Sequence, residues 1–93
     1  MINNKKDYIH HFQALRKIVN QHDPMSLMDE APEDEYDIEV GKILASTYRL
    51  DSLIEIENTI YNIFVLNFGD DAKLAKDLCH KIAKEWLEYK KNY

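Results

Sequence analysis

The chain has 93 residues, 45% of them hydrophobic and 31% charged, with two glycines, two prolines and one cysteine. That is one domain's worth of material, rich enough in apolar residues for a core. It is too short for most α/β catalytic folds and too poor in breakers for a turn-rich β protein or a disordered tail. The net charge of −5 is unevenly spread. Residues 1–22 sum to +3, residues 23–57 to −9 and residues 58–93 to +1. An acidic middle repels nucleic acid and attracts basic partners, so nucleic-acid binding is not expected.

The N-terminal Lys5 and Lys6 are followed by Asp7, His10 and His11 rather than an apolar stretch, which excludes a signal-peptide reading. No apolar run approaches the ~20 residues of a membrane helix. The lone Cys79 permits no intrachain disulfide and fits a reducing compartment. The expectation is a cytoplasmic protein with no membrane association.

Taken in chain order, helical periodicity comes first at residues 5–21. There Tyr8, Phe12, Leu15 and Val19 recur at spacings of four and three, with Ile9 and Ile18 beside them. Asp23-Pro24 ends this helix, because a residue before proline avoids the α region. The same pair can start a short helical turn over residues 24–28, with Asp23 as cap and Pro24 at the first helical position. An irregular acidic segment follows, Asp29-Glu30-Ala31-Pro32-Glu33-Asp34-Glu35-Tyr36-Asp37. Asp37 is placed to cap a second helix, from about Ile38 to Arg49, with Val40, Ile43, Leu44 and Thr47 as its apolar stripe.

Ser52-Leu53-Ile54-Glu55 fits a capping box and opens a third helix. Gly69 ends it as a residue free to adopt positive φ. Glu55, Asn58, Thr59 and Asn62 make a narrow polar stripe on this helix, and nearly everything else on it is apolar. Such a helix is either central to the core, touching all the others, or partly at a homodimer contact. Asp70 or Asp71 caps the last helix, whose inner line is Ala75, Leu78, Ile82, Trp86 and Tyr89, with Cys79 alongside. The sum is an all-α, compact four-helix domain over residues 1–93, with one additional short helical turn after the first helix.

Chemistry-bearing motifs are sparse. Gly41 and Gly69 stand alone, so there is no phosphate-cradling loop. Cys79 and His80 are helical neighbours pointing about 100° apart and are poorly placed to pair. The histidines lack metal-ligand spacing, and the acidic segment lacks the glycine and terminal glutamate of a calcium loop. No catalytic residue, cofactor or metal is assigned, and the chain is not expected to be an enzyme.

Residues 23–37 read D-P-M-S-L-M-D-E-A-P-E-D-E-Y-D and hold both prolines. With the amphipathic segment Ile38-Glu39-Val40-Gly41-Lys42-Ile43-Leu44, this resembles a family of small uncharacterised helical proteins best known from Bacillus-type bacteria. The resemblance extends over the whole chain in length and helix order. A proline often follows the equivalent of Asp37 in that family, whereas Ile38 stands here. The resemblance implies an all-α fold and brings no activity and no catalytic residues.

Two readings of the 23–37 segment remain open. In one, the aspartates cap, the prolines stiffen the crossover and Tyr36 is core. In the other, the segment docks on a basic protein, in the most concrete version a toxin neutralised as by an immunity or antitoxin protein. The binding residues would then be Met28, Asp29, Glu30, Glu33, Asp34, Glu35, Tyr36 and Asp37, with Met28 or Tyr36 as apolar anchors. The alternative is a structural or regulatory homodimer formed through the third helix.

Overall fold

A computed structural model describes residues 5–24, 33–69 and 76–93. They form four α-helices: α1 (Lys5–His22), α2 (Asp37–Thr47), α3 (Leu53–Phe68) and α4 (Lys76–Asn92). The expected short turn at 24–28, Ala75 and the caps Asp70 and Asp71 fall wholly or largely outside the described residues.

Cross-helix contacts fix the direction of each helix relative to the next. Arg16 meets Asp37 and Phe12 lies over Gly41, so α1 and α2 run antiparallel. Glu39 and Lys42 meet Asn67, which sets α2 against α3. Glu57 meets His80 and Tyr61 meets Lys76, which sets α3 against α4. His11 packs on Tyr93 while His22 reaches Glu85, returning α4 alongside α1. The result is an up-down-up-down bundle in which each helix has two principal neighbours. Its radius of gyration, 12.4 Å, is that of a compact chain of this length.

The core is assembled from one stripe per helix. Leu15 and Val19 come from α1, and Val40, Ile43 and Leu44 from α2. α3 adds Ile56, Ile60 and Phe64, and α4 adds Cys79, Ile82, Ala83 and Trp86. All are wholly buried, and each set follows the three-four spacing of a helix face. Tyr36, just ahead of α2, is also wholly buried.

Helix ends follow local chemistry in places. Ser52 caps α3, its side-chain oxygen accepting the Glu55 N–H at 3.4 Å. Gly69 closes α3 at φ +83°, donating its N–H to Val65 O at 2.7 Å. Asp23 leaves α1 at φ +46° while donating its N–H to Val19 O at 2.8 Å. Aspartate tolerates that region, and Pro24 pushes it away from ordinary helix.

Three expectations are corrected. First, the inward face of α1 is His11, Leu15 and Val19, and Tyr8 points out at 43% exposure. Second, α3 lies between α2 and α4 with α1 across the bundle from it, so its close backbone neighbours are two helices and not three. Third, Asp37 is the first residue of α2 and does not cap it; Tyr36 holds the cap position with no side-chain cap bond.

Candidate functional site

The acidic segment is described from Glu33 onward; Met28, Asp29 and Glu30 lie outside the described residues. Residues 33–36 form a turn leading into α2, and Glu33, Asp34 and Glu35 are exposed on it. The turn is held from below and from both ends. Asn20 of α1 donates its side-chain N–H to Glu33 O at 2.8 Å. The Asp37 N–H donates to Asp34 O at 3.0 Å, and the Val40 N–H to Tyr36 O at 2.8 Å. The Tyr36 ring packs edge-on against Phe64, with centroids 6.0 Å apart, and its hydroxyl donates to Asp23 Oδ1 at 2.6 Å.

Tyr36 therefore cannot act as a surface anchor in this structure. Its ring is core, and a buried phenol needs a partner for its hydroxyl, which Asp23 supplies. Asp37 is likewise engaged. Arg16 grips it with both arms of the guanidinium, Nε–H to Oδ1 at 2.9 Å and Nη2–H to Oδ2 at 2.5 Å. This fork is the bidentate geometry that arginine forms and lysine does not. The bond to Asp37 raises the Arg16 pKa, partial burial opposes it, and the nearby charges of Asp37, Glu33 and Asp34 add to the rise.

Glu33, Asp34 and Glu35 remain as the outward part of the predicted set. Among the described residues none of their carboxylates has a hydrogen-bond or ion-pair partner. They set a negative field over a hydrogen-bonded turn.

A second polar cluster was not foreseen from the sequence. At the end of α2, Thr47 is wholly buried. Its hydroxyl donates to Ile43 O at 2.6 Å and accepts the Trp86 Nε1–H at 2.8 Å. Lys90 Nζ donates to Thr47 O at 2.6 Å and to Leu50 O at 2.7 Å. A lysine from α4 thus adds a second donor to Thr47 O, which also accepts the Leu50 N–H at 2.9 Å, and supplies one to Leu50 O just beyond α2. Burial lowers the Lys90 pKa, and Asp51 partly opposes that.

Beside this cluster His11, only 4% exposed, donates Nδ1–H to Asp7 O at 2.8 Å. Its ring is boxed by Trp86, Tyr89 and Tyr93 at centroid distances of 5.9, 5.3 and 4.4 Å. Tyr93 Oη donates to Asp7 Oδ1 at 2.8 Å, and that bond raises the Tyr93 pKa. A cleft of about 200 Å³ opens here, lined by His11, Tyr48, Asp51, Lys90, Lys91 and Tyr93 among others. Its charges are of both signs and its best-placed ammonium, Lys90, already serves two carbonyls. The cluster reads as the lock between α1, α2 and α4.

Cys79 is wholly buried, and burial, with Glu57 adding to it, pushes its thiol up to about 11. His80 points elsewhere, its Nδ1 bonded to Glu57 Oε1 at 2.7 Å. A thiol that stays protonated at neutral pH is a poor nucleophile.

Fold and site together define a small up-down-up-down helical domain with a structurally anchored acidic turn. A family model matches residues 14–93, and the chain belongs to that family, the domain of unknown function DUF1871. No curated protein and no solved structure gives a significant match. Among the described residues no helix is long and apolar enough to cross a membrane.

Proposed function

We propose that this is a small, non-catalytic, cytoplasmic binding protein whose exposed carboxylates dock on a basic protein surface. The most concrete form is an immunity or antitoxin-type inhibitor that covers the cationic site of a toxin. One observation carries the reading. Glu33, Asp34 and Glu35 are contiguous and exposed, without partners among the described residues, on a turn pinned by Tyr36, Asn20 and the start of α2. Pinning lowers the ordering cost on binding, and like charges held together raise the encounter rate with an oppositely charged surface. Asp29 and Glu30 would extend the same patch, with Met28 as the apolar anchor, since Tyr36 is committed to the core. The protonated, enclosed Cys79 supports a non-catalytic role, and the reading requires no cofactor.

The alternative homodimer through α3 draws less support. The outward side of α3 carries Ile54, Glu55, Asn58, Asn62 and Leu66. Its exposed apolar residues, Ile54 and Leu66, lie at opposite ends with the asparagines between them. Single apolar residues of that kind are ordinary surface.

The test compares wild-type bait with the triple variant E33K/D34K/E35K in extracts of the native host, read by quantitative mass spectrometry. A basic protein should be retained by the wild type, lost by the variant and released by salt as screening sets in. The purified pair should then bind at least about tenfold more weakly with the variant, equivalent to about 1.4 kcal/mol. Equal capture of the same protein by both baits at low salt refutes the proposal.

A further inference from the structure

Helix α1 carries a second line of residues besides its core face. Lys5, Ile9, Phe12, Arg16 and Asn20 follow at spacings of four, three, four and four, so they run along one flank of the helix. Tyr8 and Ile9 on and beside this line are 43% and 42% exposed. With Phe12, Gln13 and Arg16 they line a shallow apolar groove of about 250 Å³, and α1 supplies all of its described lining. The groove is a fixed platform. Tyr8 stacks on Phe12 with centroids 6.1 Å apart, and the Arg16 guanidinium lies 5.6 Å over the Phe12 ring while Asp37 grips it.

The two ends of the line differ in charge. Exposed Lys5 and Lys6 stand at one end. At the other, the bond from Asn20 to Glu33 O brings the turn of Glu33, Asp34 and Glu35 against the helix. Over about 22 Å of helix axis the surface therefore passes from positive through apolar to negative. A surface so ordered is self-complementary under a two-fold axis. When two copies of α1 cross antiparallel about Phe12 and Gln13, Lys5 of one faces Asn20 of the other, beside its Glu33. The same match repeats by symmetry, and the apolar centres cover each other. A parallel pairing would set like charges together. We infer that the Tyr8–Ile9–Phe12 face of α1 is a homodimer interface, closed at each end by Lys5 and Lys6 of one copy against Glu33, Asp34 and Glu35 of the second. The inference rests on this face of α1 and not on the existence of a basic partner.

The test is sedimentation equilibrium of the full chain, up to about 500 µM protein in about 50 mM salt, where a Kd in the micromolar range is read directly and surface charges are little screened. Wild type should dimerise. K5E/K6E and E33K/D34K/E35K should each weaken the dimer at least about tenfold, and combining all five reversals should restore it to within about threefold of wild type, because the matched pairs are re-formed. Ile9→Asp should abolish it. All these positions are exposed, so helicity by circular dichroism should stay unchanged. A strict monomer throughout the range overturns the inference. So does a dimer indifferent to the end reversals, a combination that fails to restore it, or a dimer lost with Leu66→Asp but kept with Ile9→Asp. Lys5 and Lys6 play no part in docking a basic partner, so failure here and failure of the partner reading are distinguishable.

Discussion

Thr47→Val isolates the lock between α2 and α4. The replacement keeps the shape of the side chain and removes one oxygen from a site that is wholly buried. Two bonds are lost, and they differ in consequence. The donation to Ile43 O is expendable, because a carbonyl in mid-helix retains its backbone partner. The acceptor for Trp86 Nε1–H, at 2.8 Å, has no substitute, and Trp86 is itself wholly buried. A buried donor left without a partner costs about 1–3 kcal/mol. About 2 kcal/mol is a large share of the 5–15 kcal/mol typical of a domain, and for this chain length it lowers Tm by roughly 8–15 °C. Equilibrium urea unfolding followed by far-ultraviolet circular dichroism measures it, with the single tryptophan, Trp86, as an independent fluorescent probe. The sharper measurement is a cycle with Trp86→Phe. Once the indole is gone there is no donor to strand, so Thr47→Val should cost at least about 1 kcal/mol less in that background. A Thr47→Val cost under about 0.5 kcal/mol, or an equal cost in both backgrounds, refutes the role given to the bond.

Two further outcomes follow from the same structure. The Cys79 thiol is raised to about 11 in the fold, against 9.0 for the free group. Below that window both states are protonated; within it the unfolded chain ionises first, so stability falls as pH rises from about 9 to about 11, by roughly 2–3 kcal/mol in all. Urea titrations across that range should show a shallower fall for Cys79→Ala, and an identical slope would contradict the assignment. Tyr89, Tyr93 and Lys90 shift in both proteins and cancel in the difference. Gly69→Ala should cost about 1–3 kcal/mol, since φ +83° with ψ 173° is a region open essentially to glycine. Nothing stands within 4 Å of the added Cβ, so the cost is purely backbone. A thermal melt unchanged from wild type would show that α3 ends without that conformation.

What could be read from the sequence was what local physics decides. The start and end of α3 were legible because Ser52, Glu55 and Gly69 act within one turn of the helix. The four-helix order was legible because apolar spacing repeats in each segment. The inward face of α1 was misplaced because hydropathy ranks Tyr8 above His11. The bundle buries His11 instead, giving its Nδ1–H a backbone acceptor and its ring three aromatic neighbours. Asp37 was assigned to a cap on local preference, and a partner twenty-one residues earlier, Arg16, claims it. The Thr47, Trp86 and Lys90 cluster spans α2 and α4, and no spacing within either helix announces it.

The same contacts explain why the candidate site contracts to one turn. Each seam of the bundle carries a polar clip built on an acidic residue: Arg16 with Asp37, Asn67 with Glu39, His80 with Glu57, and His22 with Glu85. Glu39 is buried, whereas the other three clips are partly exposed and contribute only about 0–1 kcal/mol each, so their larger effect is to favour one register of neighbouring helices over its slips. Asp23, through Tyr36, is occupied in the same way. Four of the eleven acids in the −9 stretch, Asp23, Asp37, Glu39 and Glu57, are thus used by the fold, so a low pI alone says little about binding. Charge beyond what the bundle uses matters only where it is contiguous and fixed. Among the described residues that condition is met at Glu33, Asp34 and Glu35, beside α1, a helix that is net positive and has an apolar flank. Any partner of the acidic turn, foreign or a second copy of the chain, is therefore expected to contact α1 as well.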